Sequence, residues 1–230
     1  MSVRQLAVLG DHQGDVDAIV GKYPNARSAL IPLLFYVQSV QGHVTEEGMR
    51  DVAQVLGLTP AEVLSVASFY TMLKKQATGE YLISVCRNIT CTHLGGRKVL
   101  RAAEERLGVP AGQSTPDGRF TLEAAECLAT CDGAPSLQIN YEDFYKVSPE
   151  EMVEIIDKLE RGDEVRSVAG EAIQTHKDVS REVAMTGVIE GHGNQEQGAR
   201  TVSGEVPPAD MAPGFRPPVK GHGAKEDPDA

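Results

Sequence analysis

The sequence predicts an α+β chain in two folded parts, an N-terminal helical bundle and an α/β sandwich, followed by a Gly/Pro-rich tail. Three observations carry this. From about residue 13 to 74, apolar residues recur with the period of buried helices. From Glu80, short β-branched runs and turn signals replace that period. Past Arg161 both patterns fade. The expected divisions are an N-terminal extension over 1–12, the bundle over 13–78, the sandwich over 79–160, and an extended or disordered tail over 161–230.

Within the bundle, the run ARSALIPLLFYVQSVQG sets Leu30, Leu33, Leu34 and Val37 on one stripe, at i, i+3, i+4 and i+7. Thr45-Glu46-Glu47 opens the next helix with acid at its positive end. Thr59-Pro60-Ala61-Glu62 combines a cap, a first-turn proline and a returning glutamate, and the helix it starts stacks Val63, Val66, Ala67 and Tyr70 on one face. Tyr81 to Cys86 (YLISVC) then reads as a strand, with a helix over roughly Leu94 to Leu107 after it. Pro116-Asp117-Gly118 is a turn ahead of a second strand, Arg119 to Glu126. Ser136 to Asn140 and Asp143 to Val147 suit a hairpin, and Ser148-Pro149-Glu150-Glu151 caps a closing helix to about Leu159. This order requires a crossover between the first two strands. Residues 187 to 230 hold eight Gly and six Pro with one aromatic, Phe215, too little apolar surface to offset the entropy of ordering.

The charge balance excludes several functions. With 33 Asp and Glu against 22 Lys and Arg, the net charge of −11 suits neither nucleic acid nor an anionic membrane surface. The longest apolar stretch, Ala29 to Val40, is broken by Pro32 and Gln38 and falls short of the roughly 20 residues that span a bilayer. The opening MSVRQLAVLGDHQGD is too polar for a secretory signal peptide. A cytoplasmic chain without direct membrane insertion is expected, in a compartment where thiols stay reduced. No nucleophile–base motif stands out, so no catalytic residue is assigned. A strand–GxGxxG–helix fingerprint is also missing, and Gly191-His192-Gly193 in the tail is its nearest approach.

Four cysteines therefore need another explanation. They fall as Cys86-x₄-Cys91, 35 residues, then Cys127-x₃-Cys131, each pair beginning where a predicted strand ends. Loops at one edge of a sheet bring four thiolates together on a rigid support, and Gly95, Gly96 and Gly133 would let backbone N–H groups approach the sulfurs. A disulfide framework is disfavoured by the compartment, and a thioredoxin-type dithiol by the missing Cys-x-x-Cys. Four inert buried thiols would not fall into paired loops. A structural Cys₄ zinc site stays open, although zinc usually staples domains that lack a core of their own. The string Cys91-Thr92-His93-Leu94-Gly95 looks like half of a Rieske motif, but such a centre needs a second Cys/His pair, and Cys127-Leu128-Ala129-Thr130-Cys131 has no histidine. The preferred reading is an all-cysteine 2Fe–2S cluster, with His93 a surface or capping residue.

This cysteine spacing, together with the upstream PNARSALIPLLFYVQ and VASFYTM stretches, resembles the thioredoxin-like 2Fe–2S ferredoxins, over about residues 20 to 160. Within them it looks like the branch formed by the E subunits of NADH–quinone oxidoreductase, respiratory complex I; related subunits serve NAD-linked hydrogenases and formate dehydrogenases. The resemblance implies a thioredoxin-like domain after the bundle, with one 2Fe–2S cluster on Cys86, Cys91, Cys127 and Cys131. It implies an electron-transfer subunit that is inactive alone, with FMN and NADH on a partner, the flavin-bearing F subunit. A second expected partner is the iron–sulfur-rich G subunit. The expected place is the peripheral arm on the cytoplasmic side of the membrane, or the matrix side in a mitochondrion.

Overall fold

A computed structural model describes residues 6–187. Helices come first: α1 (Gln13–Val20), α2 (Leu30–Gln41), α3 (Glu46–Leu56) and α4 (Pro60–Phe69). Their boundaries follow from local chemistry. Thr45 Oγ1 accepts from the Gly48 N–H to start α3, and Thr59 with Glu62 forms the reciprocal capping box of α4. Gly42 and Gly57 end α2 and α3 in the left-handed conformation that costs glycine least. The stripe Leu30, Leu33, Leu34, Val37 is buried, and it packs with Val16, Ile19, Val52 and Val63 in one core. Because α4 stops at Phe69, Tyr70 lies beyond it, and both aromatic rings are exposed.

The second part is a mixed sheet. Strand β1 (Tyr81–Cys86) is followed by the short helix α5 (Ile89–His93) and by α6 (Gly96–Leu107). Then come β2 (Gln113–Ser114), β3 (Phe120–Ala125), β4 (Leu137–Ile139), β5 (Glu142–Phe144) and the closing helix α7 (Pro149–Arg161). The strand order is β2-β3-β1-β4-β5, with β1 and β3 parallel and the remaining pairs antiparallel. Helix α6 is thus the expected crossover, and β4–β5 the expected hairpin. The helix expected from Leu94 is α6, which starts at Gly96, and Gly95 at φ +109° separates it from the additional short helix α5. The two-residue β2 has too short a pattern to read.

Both ends of the chain depart from expectation. Residues 1–12 are expected to be an N-terminal extension preceding the bundle, yet Val8 and Leu9 are buried in the helical core. Asp51 explains this: its carboxylate accepts from the N–H groups of Ala7, Val8 and Leu9 at 3.1, 2.6 and 3.0 Å. Likewise the tail expected from residue 161 contains α8 (His176–Thr186), which packs along α2. Its N-cap is Thr175, and Val179, Ser180 and Ala184 face inward. Ser180 Oγ accepts from Gln38 Nε2 at 3.0 Å, and Arg181 pairs with Asp15 at 2.6 Å. A stripe this short between polar residues leaves a weak periodic signal, so its burial depends on the distant α2. The expected tail beyond, with Gly191-His192-Gly193 and Phe215, lies outside the described residues. Among the described residues no single helix is long and apolar enough to cross a membrane.

Candidate functional site

Because β1 and β3 run parallel and side by side, their C-terminal ends share one edge, and Cys86 pairs in register with Ala125, two residues before Cys127. This is how residues so far apart in sequence meet. Cys86 ends β1 and is buried. Cys91 is also buried, but it sits on α5 and not in a loop as expected. Cys127 and Cys131 are exposed, and all four cysteines are free thiols. The site is therefore half enclosed, with its second pair facing outward.

Several contacts lock the two cysteine segments together. Burial pushes the Cys86 thiol up, as does the neighbouring Cys91 thiol, while N–H groups of Asn88 and Leu128 pull the other way. Leu128 belongs to the second segment, so that N–H reaches across. In return, Cys131 is raised first by Cys127 beside it and also by Cys91, with the Thr90 side chain opposing. Cys91 Sγ lies 3.5 Å from Ser136 Oγ, which also accepts from Thr130 Oγ1 at 2.8 Å. The Ala129 N–H donates to Cys127 Sγ at 3.4 Å, from a backbone held at φ 62°. For a non-glycine residue, that left-handed conformation costs roughly 1–2 kcal/mol. Arg87, next to Cys86, and Glu126, next to Cys127, form an exposed ion pair.

The glycines act differently from expectation. Gly96 packs against carbonyls, not sulfurs: a Cβ there would lie 2.8 Å from Cys91 O and 2.9 Å from Cys86 O. At Gly133 a Cβ would lie 2.3 Å from the Tyr145 ring. Both permit close packing, while the N–H groups offered to sulfur come from Asn88, Leu128 and Ala129. His93 is exposed at the end of α5. Sequence reasoning misses Thr90, Thr130 and Ser136, because isolated hydroxyl residues carry no spacing signal.

The donor set fits a binuclear cluster. Among the described residues, no three His, Cys, Asp or Glu side chains converge as a single metal-binding group. The thiols instead fall into two neighbouring pairs, Cys86 with Cys91 and Cys127 with Cys131. Four cysteine thiols in two such pairs match the all-cysteine donor set of a 2Fe–2S cluster, which takes two per iron. N–H donors aimed at sulfur are the usual means of stabilising such thiolates.

Comparison with known proteins agrees with this chemistry. A family model described as thioredoxin-like [2Fe-2S] ferredoxin matches residues 16–160. The chain is 45% identical over 152 residues to a Mycobacterium tuberculosis protein named as the E subunit of NADH-quinone oxidoreductase, covering 66% of this chain and 60% of that one. It is 37% identical over 136 residues to NADH-quinone oxidoreductase subunit 2 of Thermus thermophilus, covering 58% and 75%. A Rhizobium meliloti protein, named as a second E subunit of NADH-quinone oxidoreductase, is 31% identical over 154 residues, covering 67% and 92%. The matched stretch thus spans 60% of the mycobacterial relative's length. Among solved structures, a chain of an NAD+-reducing [NiFe]-hydrogenase aligns at a TM-score of 0.47 and 21% identity, over 50% of this chain and 20% of that chain.

Proposed function

This chain belongs to the thioredoxin-like [2Fe-2S] ferredoxin family, and from that premise we propose that it holds one 2Fe–2S cluster on Cys86, Cys91, Cys127 and Cys131 and is an electron-transfer subunit of an NADH–quinone oxidoreductase. The observation that carries this reading is the interlocking of two cysteine pairs at one edge of a rigid sheet. When bound, the cluster supplies a one-electron donor and acceptor. The protein's part is to hold it still and partly dry. Cys86 and Cys91 anchor it from the buried side, where β1 and α5 leave little freedom. Ser136 and Thr130 tie the outer segment to the inner one. Cys127 and Cys131 face solvent, as do the apolar side chains of Ile89 and Leu94 beside Cys91. This is the side on which the flavin- and NADH-binding F subunit would sit, with the iron–sulfur-rich G subunit further along the route. Hydride chemistry belongs to that flavin, so the chain alone is inactive toward NADH. It lies in the peripheral arm on the cytoplasmic side of the membrane, or on the matrix side in a mitochondrion.

The test is metal analysis of anaerobically purified chain, with about two irons and two acid-labile sulfides expected per chain. One zinc and no labile sulfide would overturn the reading. Serine at any of the four cysteines should abolish or alter the reduced-state EPR signal, and His93→Ala should leave it unchanged.

A further inference from the structure

Side chains alternate along a strand, so Leu82, Ser84 and Cys86 share one face of β1. Register sets Thr121, Glu123 and Ala125 of β3 beside them. On that face, one residue pair below Cys86, lies a charged group that the ligand set does not use. The Glu123 carboxylate accepts from Ser84 Oγ at 2.6 Å through one oxygen and from Lys74 Nζ at 2.8 Å through the other. Lys74 comes from the segment between α4 and β1, and its N–H donates to Gln38 Oε1 at 2.7 Å. Gln38 itself is wholly buried in α2. The two charged side chains are only 17% and 33% exposed, so water screens this pair far less than a surface bridge. Tyr141 feels the Glu123 charge, and His176 feels both Lys74 and Glu123. Burial favours the neutral form of each, which leaves Lys74 and Glu123 as opposed charges.

We propose that Lys74 and Glu123, held by Ser84, form a balanced charge pair to which the reduction potential of the cluster held by Cys86 is sensitive, a positioning role that rests on the ligand assignment above. Reduction adds one negative charge to the site. A nearby cation favours that step and a nearby anion opposes it. Two residues of strand place the pair about 7 Å from the level of Cys86. While both charges are present their effects largely cancel, so removing one unmasks the other. At an effective dielectric near 20, one unit charge about 10 Å away changes the one-electron equilibrium roughly tenfold.

The test is a redox titration of the cluster-loaded full chain, followed by EPR. Lys74→Met should lower the reduced-to-oxidised ratio at fixed potential about tenfold, equivalent to a midpoint about 59 mV lower. Glu123→Gln, which preserves shape and the Ser84 contact, should raise the ratio by a similar factor. The double variant should return near wild type, and Lys74→Arg should not move. Shifts in the same direction, or ratios within twofold of wild type while the EPR line shape is kept, would overturn the inference. Should one variant fail to hold the cluster, the sign of the other decides. A wild-type chain without any 2Fe–2S signal overturns the ligand assignment instead, and the inference with it.

Discussion

The two faces of the sheet are built on opposite principles. One carries Ile83, Val85, Phe120, Leu122, Leu137 and Ile139, all buried against α6 and α7. The other carries Ser84, Glu123, Thr121 and Gln138, each engaged by a named hydrogen bond. Apolar contact is non-directional, so the first face stabilises without dictating where any one group must sit. Hydrogen bonds on the second face dictate geometry, and Cys86 emerges on it. Stability and positioning are thus assigned to opposite sides of one strand.

The comparison breaks most sharply at Phe120, wholly buried on the apolar face and 5.6 Å, ring to ring, from Tyr81. Phe120→Ala removes a large buried ring and should cost about 3–5 kcal/mol in denaturant unfolding. The folded fraction should retain the wild-type cluster spectrum, because no cysteine contact runs through this ring. A changed spectrum would show that the apolar face also positions the site.

On the polar side, the test is pH. His176 is 1% exposed, and its pKa is lowered to about 4, by burial first and by the Lys74 charge second, with Glu123 opposing. Its backbone N–H donates to Glu80 O at 2.8 Å, and its ring Nδ1 has no hydrogen-bond partner. The unfolded chain takes up this proton near pH 6.5, and the folded chain only near 4. Between those values the unfolded state binds more protons. Stability is therefore intact above pH 6.5 and falls as pH drops toward 4. The full loss from this group is on the order of 3 kcal/mol. His176→Gln should remove that part of the slope, as read from denaturant midpoints between pH 7 and 4.5. Parallel profiles for the two proteins would contradict a buried, neutral imidazole.

The same division separates what was readable in the sequence from what was not. Helix starts at Thr45, Thr59 and Ser148 were readable because a cap and its partner lie within three residues. The short β-branched run YLISVC and the hairpin after Ser136 were readable for the same local reason. Cys86 at the end of β1 and Cys127 just beyond β3 followed from strand ends alone. The supporting contacts did not: Ser136 is 45 residues from Cys91, and Lys74 is 49 from Glu123. Asp51 capping the N-terminal residues and α8 closing on α2 are likewise contacts between distant segments. A one-dimensional pattern shows which residues can be buried or capped, but not which distant partner completes a polar group.

The smallest effect should come from the strut at Ser136, which stands beside Cys86 on the polar face and is 3% exposed. Its carbonyl accepts from the Cys86 N–H at 3.2 Å, a backbone bond that substitution leaves in place. Its hydroxyl links Thr130 of the outer segment to Cys91 of the inner one. Ser136→Ala should therefore cost only about 0.5–1.5 kcal/mol of stability, the usual worth of one hydrogen bond. Thr130→Ala removes the same link from its other end. If the hydroxyls act as one strut, the double variant should cost no more than the larger single change, since the second deletion has nothing left to break. Additive losses in a denaturation cycle would mean that Ser136 and Thr130 support their cysteines separately. The outer pair would then be held by its own backbone, with the Ala129 N–H on Cys127 and the turn at Cys131–Gly133 as its chief constraints.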